Sequence, residues 1–425
     1  MEQSPPGVTT TTALDTAPAP APANRSLRRL LWSLLPTTSA IFLLWGMYGI
    51  LLPAQIQELA PESKETTYAW VAAVGAALAM IAQPVAGVVS DRTRSRFGRR
   101  APWMVGSAIV GGVALLVLGS ATAVIQVAIA WCVAQVAYNF VQGPLSAVMP
   151  DRVPVERRGL FASITGVGTL VGMMAGQIAG AKFVPHFMLA WTTAAAVVLV
   201  LVLLFVILNP DRDNRPDPRK PFDVKAFLRT FWVSPREYPD FAWAFLGRFM
   251  LTLGFTVVTT YSLYISQDYI GLTLEDALDL APKLAVLSMV GMFPATIVSG
   301  ILSDRVGRRR IFVFAACVIL AGALAVPFFV PTVTGLTVYS ILIGIGFGMF
   351  QSVDSALISE VLPSSQDFGK DLGILNIAAT LPQTLAPALA GLIVVSLGGY
   401  AALYPWAIAF VAIGGVSVWF IKSVK

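Results

Sequence analysis

The chain has one histidine, two cysteines and few charges: Asp, Glu, Lys and Arg make up only 12% of its 425 residues. Each shortage excludes something. Cys132 and Cys317 both fall inside long apolar runs, so there is no disulfide framework and no Cys/His set spaced to hold a metal. The lone His186 lies near the end of an apolar run and reads as an interfacial residue. There is no Walker loop, no H-E-x-x-H and no nucleophile elbow. An enzyme is therefore not expected, nor is ATP-driven pumping, and no cofactor or metal is expected. A soluble domain is about a quarter charged. This chain has half that, with 56% hydrophobic residues.

What fills the space is apolar sequence of membrane-spanning length. Twelve runs can be read, at about 37–58, 68–90, 101–121, 123–149, 159–182, 187–208, 241–266, 283–303, 310–331, 334–360, 369–396 and 400–421. They lack the strict alternation of barrel strands and are twice as long as a strand needs. The net charge of +6 is not a nucleic-acid footprint, because it sits in alternate loops. All but four of the 29 Lys and Arg residues fall in the two tails or in the loops after even-numbered runs. The four are Lys64, Lys182, Lys283 and Arg248. The positive-inside rule then places both termini in the cytoplasm. An odd number of helices would break the pattern, so the charges independently support twelve. Residues 1–24 are rich in Pro, Thr and Ala, without the apolar stretch of a signal peptide. We expect residues 1–30 to form a disordered cytoplasmic tail.

The chain is also internally repeated. Gly87-Val-Val-Ser90-Asp91-Arg92, followed by Gly98-Arg99-Arg100, returns as Gly300-Ile-Leu-Ser303-Asp304-Arg305, followed by Gly307-Arg308-Arg309. Gln142–Pro154 aligns without a gap to Gln351–Pro363. The proline- and charge-rich stretch 209–240 divides six runs from six. The expected fold is an all-α integral membrane protein, with twelve transmembrane helices in two six-helix pseudo-symmetric bundles. The bundles span 31–208 and 241–425, joined by a cytoplasmic linker at 209–240. Parallel six-helix repeats place a ligand site near the midplane between the halves.

With the repeated G-x-x-x-D-R…G-R-R loop and the six-plus-six layout, residues 30–423 resemble the major facilitator superfamily. A narrower resemblance rests on three patches: Ser90–Trp103, Gln142-Gly143-Pro144, and Gly373–Gln383 with Asn376 and Pro382. These are similar to sucrose–proton symporters and their glycoside–pentoside–hexuronide relatives. The resemblance implies that helices one, four, seven and ten line a cavity. It also implies alternating access and a sugar or glycoside cargo moved in symport with a proton. One position departs from the pattern. The plant symporters carry an acid seven residues before Gln-Gly-Pro, where this chain has Gln135, which cannot titrate.

Polar stripes at helical spacing supply the candidate substrate contacts. Helix one offers Trp45 and Tyr48, and helix four Gln135, Tyr138, Asn139 and Gln142. Helix seven offers Thr252 and Thr259, helix ten Gln351, and helix eleven Asn376 and Gln383. Amides and hydroxyls exchange hydrogen bonds with sugar hydroxyls, and aromatic rings pack on sugar C–H faces. Such a set suits a neutral polar ligand. Gly168, Gly172, Gly176 and Gly180 recur every fourth residue of helix five and read as close helix packing. Two ionisable residues lie deep in apolar runs, Arg248 and Asp354. Each costs about 2.5–3.5 kcal/mol or more if it meets lipid, so they are expected to face the interior or each other. Asp354 is the candidate proton carrier, with Arg248 as its partner.

The repeated loops offer candidate gating residues: Asp91, Arg92, Arg99, Asp151, Asp304, Arg305 and Arg308. Ion pairs there could latch one state of the transporter, while the arginines also hold the loops inside. The expected protein is thus a monomeric secondary transporter of the plasma membrane, with a small-molecule substrate, a proton and the lipid bilayer as partners. The competing readings are a proton-antiport exporter of drugs or metabolites, which twelve methionines keep open, and a membrane sensor that binds without transporting.

Overall fold

The computed structural model describes residues 24–216, 236, 238–361 and 368–421. Twelve long helices occur among the described residues. The first six are α1 (Asn24–Leu59), α2 (Lys64–Arg92), α3 (Ala101–Gly119), α4 (Val124–Arg152), α5 (Arg158–Phe183) and α6 (Phe187–Leu208). The second six are α7 (Pro239–Thr260), α8 (Leu274–Val306), α9 (Arg309–Phe329), α10 (Val333–Val361), α11 (Phe368–Ser396) and α12 (Gly399–Ser417). Eleven are long and apolar enough to cross a membrane, and the described apolar part of α11 runs from Thr380 to Ser396. Their outward residues are apolar, as at Ile207, Ile297 and Phe329, so a hydrocarbon solvent satisfies that surface where water would not.

The two halves use the same packing scheme. In the first, α1 packs on α5 and α6, α2 on α4, and α3 on α4 and α6. In the second, α7 packs on α11 and α12, α8 on α10, and α9 on α10 and α12. The halves meet through α2 against α11 and, less extensively, α5 against α8. The repeated loop keeps its backbone too: Gly98 (φ 81°) and Gly307 (φ 66°) both take the left-handed conformation, which glycine adopts without steric cost. With twelve helices the first and last described residues, Asn24 and Ile421, fall on one face, called here the face of the termini. The opposite face is called here the far face.

α1 starts at Asn24, inside the stretch expected to be a tail. Leu27, Leu30 and Leu34 are buried and continue the apolar stripe of α1 at helical spacing, which extends the helix beyond the membrane-length run. At its other end α7 continues through Ser262–Tyr264 into a π-helical turn at Ile265–Tyr269. Together these segments place Tyr264, Gln267 and Asp268 at the far face.

The glycine ladder of α5 faces α1. A Cβ at Gly172 would strike the Ser39 carbonyl, and one at Gly176 the Leu43 carbonyl. Backbone cannot yield as a flexible side chain can, so we expect Gly176→Val to force α1 and α5 apart. The expected cost is at least about 2 kcal/mol, read as a lowered unfolding temperature in detergent. Gly166→Val on the same helix meets no neighbouring atom and should leave that temperature unchanged.

Candidate translocation site

Between the halves lies a cavity of about 450 Å³, within the size range of small-molecule sites. The first half contributes aromatic rings and amides. Tyr48 stacks on Trp131 with centroids 4.1 Å apart and planes 7° apart, and Trp45 meets the same indole edge-on at 6.3 Å. Trp45 Nε1 donates to Gln142 Oε1 at 3.3 Å, which holds the Gln142 amide with its NH2 group available as a donor. Asn139 Nδ2 donates to the Gln135 backbone carbonyl at 2.8 Å, leaving the Asn139 carbonyl oxygen as an acceptor. Gln83, from α2, adds a fourth amide to the lining.

The second half contributes hydroxyls. Thr256, Thr259, Thr260 and Thr384 line the cavity. Each has its one hydrogen directed at a backbone carbonyl: Thr256 to Thr252 at 2.7 Å, Thr259 to Phe255 at 3.1 Å, Thr260 to Thr256 at 2.7 Å, and Thr384 to Thr380 at 3.2 Å or to Ala76 of α2 at 3.3 Å. With their protons committed, these hydroxyls present lone pairs. A ligand with several hydroxyl groups finds amide donors and acceptors on one wall and hydroxyl acceptors with the Gln383 amide on the other. Among the described residues that line the cavity, none carries a formal charge.

The expected contacts divide on this geometry. Trp45, Tyr48, Gln135, Asn139, Gln142, Thr259 and Gln383 line the cavity. Tyr138 instead turns its ring against Gly111 of α3. Thr252 is buried within its bundle and Gln351 is exposed outside the cavity. The Asn376 side chain lies outside the described residues. The helices differ too: α2 and α5 contribute beside α1, α4, α7 and α11, and α10 does not. The physical reason is the α2–α11 contact, which brings both helices to the seam, while α10 packs against α8 and α9. Gln83, Thr256, Thr260 and Thr384 were missed. Gln83 was findable, as an amide in the apolar middle of α2.

α10 meets α7 through other groups. Asp354 Oδ2 lies 3.1 Å from Arg248 Nη1, with side chains 6% and 19% exposed. This is the pairing expected of the two deep charges, and it falls within the second half, set back from the cavity. One helix carries both features. Arg248, the cavity-lining Thr256 and Phe255 all belong to α7, and Phe255 stacks on Phe347 of α10 at 4.6 Å.

Toward the far face the cavity ends in rings. Tyr68 meets Tyr261 and Tyr264 edge-on at 5.5 and 5.8 Å. Beyond them polar groups join the halves: Gln57 and Gln267 exchange amide hydrogen bonds at 2.9 and 3.1 Å, and Tyr264 donates to the Pro53 carbonyl at 2.8 Å.

On the face of the termini, the expected gating residues form a network in one copy of the loop. Asp151 receives Arg99 at 2.8 Å and Arg100 at 2.9 Å, and Asp91 receives Arg100 at 2.8 Å. Arg100 also donates to Ser90 Oγ at 2.9 Å. Arg100 was not among the expected residues, yet it is the buried hub, while Arg92 is exposed at the end of α2. The network ties α2 to α4 within the first half. The start of the linker joins it: Asp211 pairs with Arg152 at 3.1 Å and accepts from the Arg99 amide at 3.3 Å. In the second copy, Asp304 meets Arg309 at 3.4 Å and is 69% exposed, and Arg305 and Arg308 are exposed. Glu360, the counterpart of Asp151 in the repeat, has its side chain outside the described residues.

The family profile of the Major Facilitator Superfamily matches residues 34–293 and again 283–423. The chain is similar to the MFS transporter asaE of Aspergillus flavus, 26% identical over 246 residues, 57% of this chain and 53% of that protein. It is similar to the sucrose transport protein SUC4 of Arabidopsis thaliana, 25% identical over 181 residues, 37% of this chain and 35% of that protein. The matched stretches thus span about half or less of these relatives. A bacterial homolog to the human lysosomal transporter Spinster, solved inward-facing and unoccupied, superposes with a TM-score of 0.71 at 14% identity. That match covers 94% of this chain and 97% of the other, and it shows the shared fold.

Proposed function

The chain belongs to the major facilitator superfamily, and on that premise we propose that it is a secondary transporter moving a sugar or glycoside by alternating access. We place it in the plasma membrane as a monomer with cytoplasmic termini, and we read it as a proton symporter. The bundles at 31–208 and 241–425 are the two moving parts, with 209–240 as their connector.

One observation carries the cargo: a seam cavity lined by uncharged amides, hydroxyls and aromatic rings. A cation or anion would find no counter-charge there, and a purely apolar drug would cover amide and hydroxyl groups of the lining without offering them a hydrogen bond, at about 1–3 kcal/mol for each group left unsatisfied. A polyhydroxylated neutral molecule satisfies both walls and packs its C–H faces on Trp45 and Tyr48. Similarity to a sucrose transport protein supports the same class. The contacts at the far face support a state open toward the termini, which is inward-facing on the positive-inside topology.

The test is counterflow in proteoliposomes with a panel of labelled mono- and disaccharides, at acidic and neutral pH. We expect at least one sugar to exchange well above protein-free liposomes at both pH values, and to accumulate only with an inward proton gradient. A panel blank at both pH values would overturn the sugar reading in favour of the exporter.

A further inference from the structure

We propose that Glu65 is the proton-binding residue of a latch that shuts the far face, so that closure of that face takes up a proton there. This deepens the alternating-access reading and rests on it. The latch has four side chains from both halves. Lys64 and Glu65 open α2. Asp268 sits in the turn after α7, and Tyr400 in the first turn of α12.

The geometry counts protons. Lys64 Nζ lies 2.7 Å from Asp268 Oδ2 and 5.1 Å from the centre of the Tyr264 ring. Asp268 therefore has its cation. The Tyr400 phenol oxygen lies 2.8 Å from Glu65 Oε1 and 3.0 Å from Asp268 Oδ2. A phenol has one hydrogen. With both carboxylates ionised, two anions face that one hydrogen where the halves meet, Glu65 half-buried and Asp268 partly exposed. With a proton on Glu65 the chain is satisfied from end to end: the Glu65 carboxyl donates to the Tyr400 oxygen, Tyr400 donates to Asp268, and Lys64 neutralises Asp268. Glu65 takes the proton rather than Asp268, because Asp268 holds the lysine.

Among the described residues Glu65 has no ion pair, and the titratable groups that face it are the phenols Tyr261, Tyr264 and Tyr400. Tyr261 donates to the Glu65 backbone carbonyl at 2.7 Å. The described far section of α11 packed on α2, Thr380–Ser396, has no ionisable side chain. Glu58 and Glu62 are nearby in sequence but exposed. The latch is also out of reach of the Arg248–Asp354 pair, on the opposite side of the cavity. A transporter with Gln135 at the usual acid position thus has a second place to take a proton, at the face from which a symported proton would come.

Spin labels at Ser120 and Thr332, exposed far-face positions on opposite halves, read the opening of that face once Cys132→Ser and Cys317→Ala have removed the native thiols. Distances are measured from about pH 4 to about pH 8, a span that covers carboxylate titration. We expect the short-distance population to grow several-fold as the pH falls. Glu65→Gln, which mimics the protonated carboxyl, should hold the short distance at every pH. Tyr400→Phe, which removes the bridge, should favour the long distance. A Glu65→Gln protein, or failing its folding a Tyr400→Phe protein, that keeps the full wild-type pH response overturns the latch. A pH-independent wild type with two populations overturns it as well. One distance in every sample, including Lys64→Ala/Asp268→Ala, overturns the alternating-access reading itself.

Discussion

Asp354→Asn is expected to abolish accumulation driven by a proton gradient while leaving sugar counterflow intact. The two assays separate because Asp354 is set back from the cavity. Asparagine keeps the shape and cannot take up a proton, so binding and exchange survive while coupling fails. The mechanical link is α7: when Asp354 is neutral, its hold on Arg248 weakens, and the helix that carries Thr256, Thr259 and Thr260 is free to shift against α10. Accumulation by Asp354→Asn at the wild-type level would reject the coupling role.

The same pair predicts a folding pattern that distinguishes coupling from scaffolding. Arg248→Met leaves a carboxylate buried without its cation, which in buried ion pairs costs about 3–5 kcal/mol. We expect a poor yield and a lower unfolding temperature. Arg248→Met combined with Asp354→Asn removes both charges, and stability should return to within about 1 kcal/mol of wild type. If the double variant is stable and still accumulates sugar against its gradient, the pair is a scaffold and the proton travels elsewhere, with Glu65 the next residue to examine.

How much of this was legible in the sequence follows from which contacts are local. The helices were legible because each apolar run exceeds what a bilayer needs and the charges alternate between loops. The pairing of Arg248 with Asp354 was legible because lipid tolerates neither charge alone. Facing was less so. Tyr138 and Asn139 lie within about 100° of each other on α4, and the stripe alone admits both. What sends Tyr138 away is Gly111 on α3, a gap that no property of α4 announces. Arg99 and Arg100 stand side by side, and only the packed α2–α4 interface makes Arg100 the hub. The latch at the far face joins residues more than 300 apart, Glu65 and Tyr400, so no spacing rule could have found it.

Gln142→Ala is expected to raise the half-saturation concentration for sugar by about 10–100-fold, with a smaller change in maximal exchange. Gln142 is held by Trp45, whose Nε1 donates to its carbonyl oxygen at 3.3 Å, so the amide NH2 is a fixed donor on the cavity wall. Loss of a buried hydrogen bond that leaves its partner unsatisfied costs about 1–3 kcal/mol, which corresponds to roughly five- to 150-fold in affinity. Trp45→Phe keeps an aromatic ring but frees the amide to rotate. It should lose less, about three- to tenfold, because the donor remains and only its orientation relaxes. Gln351→Ala and Tyr138→Phe serve as controls, since neither side chain lines the cavity. If Gln351→Ala weakens sugar binding as strongly as Gln142→Ala, the ligand sits against α10 rather than in this cavity. Gln142→Glu makes the sharpest comparison: it keeps the acceptor for Trp45, removes the donor and places a charge in an otherwise uncharged cavity, so a neutral sugar should be lost more completely than with alanine.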